Sequence, residues 1–293
     1  MKCKKLSISN NTAISAIYFA LLQCGYDFYT IERDTPTVNK LSSFVLSECS
    51  DYDFFSEVRQ NTCETYPYWP RAAMLETATF YMEFPQAYFV NFEAYRRSIL
   101  SAQNISDAER NKAFWDWIPQ FPSALKDVLQ SQCFSRYLEW ENAWVEEQTE
   151  KYHAKLKSIE DAFVLCREKF NSPFQSLQIV LNPIKCAYSA DYHRKGETFI
   201  FCSGSLHEEA VMHEFLHHSI HPAVENKKSE ILRCSFVNPD LDASYYLDGG
   251  ETGKLNAFEE YLVRRLTDKI LSRDIPENLD VFVNYEMMNL CTQ

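Results

Sequence analysis

Apolar residues recur every three and four positions through most of the first 170 residues, the spacing that lines one face of an α-helix. This pattern predicts helices over 11–23, 40–49, 53–62, 70–81, 84–102, 107–117 and 123–129, then one long helix over about 135–170 that contains neither Pro nor Gly. After Asn171-Ser172-Pro173 the texture changes. Short apolar runs at 177–181, 186–190 and 198–202 read as two or three strands. The polar stretch 191–197 reads as the turn joining the last two, so a small antiparallel sheet is the simplest arrangement. The expected fold class is α+β and mainly helical, with a helical domain over 1–171 and a second domain over 172–293.

Two more helices follow the apolar runs. Ser205 with Glu208 three residues later fits a capping box, which starts a helix at Leu206, and Pro222 is expected to stop it soon after His221. Val211, Met212, Phe215 and Leu216 form its packing arc. The next helix spans 256–271, with Asn256 and Glu259 as its start signal and Leu255, Phe258, Leu262, Val263, Leu266 and Ile270 on its apolar side.

Composition narrows the class. With 293 residues, 46% of them hydrophobic and 15% aromatic, the chain can bury one large core or two modest ones, and its six Gly argue against a turn-rich all-β fold. A net charge of −12 with scattered Lys and Arg argues against nucleic acid as a partner. Ten cysteines spaced singly, with no Cys-x-x-Cys pair, read as reduced thiols in the cytoplasm. Lys2, Lys4 and Lys5 ahead of the apolar segment 13–22 imitate a leader, but the polar run 7–12 separates the two and no small-x-small site follows. That segment is expected to be an ordinary helix. It is shorter than the roughly 20 residues a membrane span needs, so no membrane association is expected.

The chemistry is concentrated in His213-Glu214-Phe215-Leu216-His217. On a helix the two His are four residues apart, so both imidazoles leave one face and reach a single ion, with Glu214 beside them as a general base. Zinc in a catalytic site takes a third protein ligand. A third His six residues beyond His217, preceded by Gly, would complete a metzincin pattern, but Ile220 and Ala223 stand at those places. His221 lies at the expected helix end, and Asp240, Asp242 and Asp248 would suit an aspartate-ligand variant whose Gly and Tyr arrangement is missing. A Glu on the second helix is the better candidate. Glu259 falls inside that helix's apolar arc, where a carboxylate needs a partner. Glu260 falls outside the arc, on the side that matches the histidines' own position off their arc.

The constellation resembles the gluzincin metallopeptidases, in which His-Glu-x-x-His pairs with a Glu from a later helix. It looks most like compact bacterial predicted peptidases, whose second helix carries Glu, an apolar pair, Val and Arg, as in Glu260-Tyr261-Leu262-Val263-Arg264. The resemblance covers about 175–272 and implies a zincin-like unit with a small sheet, an active-site helix and a Glu-bearing helix. It favours Glu260 as third ligand, with Glu259 as its rival, and implies a Zn2+-dependent peptidase acting on a peptide or protein substrate. Tyr245, Tyr246, His218 and His221 are candidates for stabilising the transition state, and Arg264 for orienting Glu260. The reading from another class is a non-enzymatic interaction protein with a zincin-like fold and a structural or absent metal.

Overall fold

The computed structural model of the chain describes residues 6–24, 36–44, 54–56, 78, 81–82, 118–170, 172–185, 190–236 and 250–292. They form a mainly helical fold around a small sheet of β1 (Ile8–Ser9), β2 (Ser176–Leu181), β3 (Asp191–Lys195) and β4 (Thr198–Ser203), in the order β1-β2-β4-β3. β1, β2 and β4 run parallel, with Ile8 opposite Ile179 and Val180 opposite Cys202, and β3 runs antiparallel to β4. The sheet is therefore mixed, not antiparallel as expected. The chain leaves β2, returns along β3 at the edge, and re-enters as β4 between them, which makes β2 and β4 parallel neighbours.

The correction has a physical cause in the stretch 191–197, which forms a strand as well as a turn. Gly196, with φ of 57°, opens the two-residue turn between Lys195 and Thr198, a position where glycine accepts a left-handed backbone without strain. The polar residues before it are tolerated in the strand because each finds a setting. Tyr192 stacks on Phe199 at 5.6 Å, and Asp191 accepts from Lys185 Nζ at 2.5 Å and from Tyr18 Oη at 2.9 Å. Residues 186–189 of the expected strand 186–190 lie outside the described residues.

Strand alternation divides the core between two sheet faces. Val180, Ile200 and Cys202 face α1 (Thr12–Gln23), α3 (Phe121–Gln130) and α4 (Gln132–Lys151), where Phe19, Phe134 and Tyr137 cluster. Ile179, Leu181, Phe199 and Phe201 face the other way, towards α5 (His153–Lys169), α6 (Glu208–Asn226), α8 (Gly250–Leu271) and α9 (Leu279–Leu290). α1 is buried from Ala13 to Leu22 and capped by Asn11, whose side chain accepts from the Ala13 and Ile14 amides. No described helix is long and apolar enough to cross a membrane.

Several expected boundaries move. The single helix over 135–170 is two, α4 and α5, parted at Tyr152 (φ −104°, ψ 12°). The break lets α4 pack mainly on one sheet face and α5 on the other. α6 begins at Glu208, two residues late, because Leu206 plugs the core in an extended approach and His207 caps without a side-chain bond; Glu208 accepts from Ser158 Oγ at 3.1 Å instead. Pro222 lies inside α6 rather than ending it, since the buried Ala223 and Val224 hold the last turn against the core. α8 starts six residues before Asn256, its first turns held by Lys254, which donates to the Leu232 and Cys234 carbonyls across α7 (Lys228–Arg233). α2 (Pro36–Ser42) begins before the expected 40–49, while helices 84–102 and 107–117 and nearly all of 53–62 and 70–81 lie outside the described residues. Cys24, Cys133, Cys166 and Cys202 are free thiols, but Cys234 is disulfide-bonded, which departs from the expectation of reduced cysteines throughout.

Candidate functional site

α6 packs more extensively on α8 than any other described pair of helices does on each other, and Phe215, Leu216 and Ile220 of the one share a buried cluster with Leu255, Phe258 and Leu262 of the other. The polar edge of this contact holds the site. His213 and His217, one turn apart on α6, bring their Nε2 atoms to 3.3 Å, and Glu260 Oε2 of α8 lies 3.4 Å from the first and 3.6 Å from the second. Donors held at about 2.0–2.2 Å from a tetrahedral zinc stand about 3.3–3.6 Å apart. The three atoms thus fit one face of a zinc tetrahedron, and two imidazoles with one carboxylate suit that ion chemically. Each side chain is roughly a fifth to a quarter exposed (20%, 24% and 21%), so none of the three is sealed in the core.

The two consecutive glutamates of α8 have separate places. Glu260 faces the Nε2 side of the histidines, and Arg264 one turn on donates Nε to its Oε1 at 2.8 Å, leaving Oε2 towards the histidines. Glu259 is on the other side of His217, accepting from its Nδ1 at 2.9 Å through Oε1 and from His221 Nδ1 at 2.8 Å through Oε2. Glu259 lies in the apolar arc, as its spacing indicated, and imidazole N–H groups supply the partners a carboxylate needs there. His221 is a full helical residue, because α6 continues through Pro222.

Electrostatics follow from this packing. Burial works to raise the Glu260 carboxyl, but the hydrogen bond and charge of His213, followed by His217 and Arg264, outweigh it and hold the group down at about 2. Burial also opposes charge on His217, yet the Glu259 hydrogen bond and charge prevail and raise its proton affinity. Glu214 is raised, first by burial and then by the charges of Asp191 and Glu260, with His217 and His213 pulling the other way. No hydrogen-bond partner engages its carboxyl among the described residues.

His218 turns away from this group. Its ring sits edge-on among Phe174 at 4.7 Å, Tyr192 at 4.8 Å and Phe199 at 5.7 Å, and burial lowers it to about 4. Tyr245 and Tyr246, like Asp240, Asp242 and Asp248, lie outside the described residues. Sequence reasoning missed the Lys185–Asp191–Tyr18 cluster, whose Asp191 charge acts on Glu214 from the start of β3. Its members are 6 and 173 residues from Asp191, and no local spacing links them. No protein-family model, curated protein or solved structure matches this chain.

Proposed function

We propose that the chain is a zinc-dependent peptidase of the gluzincin type, in which His213, His217 and Glu260 hold the ion and Glu214 is the general base. The observation that carries this reading is the 3.3, 3.4 and 3.6 Å triangle of donor atoms beside a half-buried glutamate whose carboxyl no described residue hydrogen-bonds. An ion bound there supplies Lewis acidity to the scissile carbonyl and to the attacking water. Glu214 takes the proton from that water and delivers it to the leaving amine, and its raised proton affinity suits a group that must do both. Arg264 keeps Glu260 aimed by occupying its other oxygen. β3 is an edge strand of the sheet that also contacts α6, and an extended peptide substrate would pair along that edge.

Metal removal tests the proposal. Chelation is expected to abolish hydrolysis of an unfolded protein substrate, and stoichiometric zinc to restore it; hydrolysis indifferent to chelator would refute a metallopeptidase. The rival reading, a non-enzymatic interaction protein, draws on the exposed Val281, Tyr285 and Met288 that line one side of α9. It predicts no hydrolysis in either state.

A further inference from the structure

The bridge that Glu259 makes between two imidazoles goes beyond the three ligands and the base. A carboxylate has only acceptors, so the 2.9 Å contact to His217 Nδ1 and the 2.8 Å contact to His221 Nδ1 both require an Nδ1–H donor. Each neutral ring then carries its lone pair on Nε2. For His217 that is the atom 3.3 Å from His213 Nε2 and 3.6 Å from Glu260 Oε2, the one facing the donor triangle. We propose that Glu259 is a positioning residue that clamps His217 and His221 together in the Nδ1–H tautomer and so presents His217 Nε2 as a ready ligand. The inference rests on the metal-site reading for its purpose, although the tautomer itself does not depend on it.

The clamp uses both oxygens at once. Glu259 has 13% side-chain exposure and His217 24%, so little water competes for either bond, whereas His221 at 43% stands at the rim. Gln at position 259 preserves size but offers one acceptor and one donor group. It can hold one ring as Nδ1–H only if the other turns to Nε2–H and accepts at Nδ1. In Glu259→Gln the two rings therefore compete, and His217 spends part of its time with a proton on the atom that should bind metal. Replacing His221 by Phe removes the competitor while keeping ring volume.

The test uses the full chain and four proteins: wild type, Glu259→Gln, His221→Phe and the double variant. Zinc affinity by chelator competition is expected to fall about 10- to 100-fold in Glu259→Gln, to change little in His221→Phe, and to recover most of the loss in the double variant. Imidazole 15N spectra of the metal-free proteins at alkaline pH should show both rings as Nδ1–H in the wild type, and one of them shifted to Nε2–H in Glu259→Gln. A residue that merely props the helices together would give no rescue and no tautomer change. Equal zinc affinity in wild type and Glu259→Gln, or a double variant as weak as the single, overturns the clamp. Should the wild type bind no zinc, the metal reading fails by itself, and the 15N tautomers still decide whether Glu259 clamps the rings.

Discussion

Glu214→Gln is expected to lower turnover of a peptide substrate by about 10²- to 10⁴-fold while leaving bound zinc unchanged. Gln keeps the volume of the side chain in its half-buried position on α6, so the packing of the buried Phe215 and Leu216 next to it should not change. What it cannot do is accept a proton. Because the donor triangle is made by His213, His217 and Glu260, with Glu214 outside it, metal content should stay at the wild-type value. Parallel kinetics and metal analysis check both halves. A variant that keeps full turnover would remove Glu214 from the chemistry, and one that loses zinc would make it a structural participant.

The second large effect lies on the opposite face of the sheet and concerns stability. Glu141 of α4 is fully buried, and burial raises its carboxyl from 4.5 to about 8, against the polar groups of Ser15, Asn182 and Tyr137 around it. Asn182 Nδ2 donates to its Oε1 at 2.8 Å, while Oε2 is buried with no hydrogen-bond partner among the described residues. In the unfolded chain this group ionises near 4.5, and in the folded chain only near 8, so between those values the unfolded state binds fewer protons. Its contribution is therefore fully present below 4.5, is lost progressively as pH rises to about 8, and is constant beyond. The loss amounts to something on the order of 3–5 kcal/mol. Glu141→Gln keeps an acceptor for Asn182 and cannot ionise. Urea unfolding of both proteins should show a variant whose advantage grows by that amount between about pH 5 and pH 8.5. A difference that is flat with pH would mean that Glu141 is not neutral in the folded protein.

The parts of this molecule that could be read from its sequence are those whose geometry is local. His213 and His217 share a face because of the helical repeat, and the arcs Val211–Met212–Phe215–Leu216 and Leu255–Phe258–Leu262–Leu266 are buried as their spacing requires. The contest between Glu259 and Glu260 was framed by the same repeat but could not be decided by it. Both glutamates engage histidines, one through Nδ1 and the other on the Nε2 side, and only the pairing of α6 with α8 shows which faces which. Non-local features left no such trace. Two residues at Ile8–Ser9 join the sheet by pairing with Ile179 and Val180, too short a run for any periodicity. β3 hid in a charged stretch because the partners of Asp191, Tyr18 and Lys185, come from other parts of the chain. Pro222 suggested a helix end, yet tertiary burial of Ala223 and Val224 overrode the local rule.

Bound metal per chain, measured by elemental analysis on the wild type, His217→Ala and Glu260→Ala, bears most directly on the proposed centre. About one zinc is expected in the wild type and none in either variant, because each substitution removes one corner of a three-donor site. No zinc after supplementation, or zinc that persists without the His217 imidazole, would contradict it.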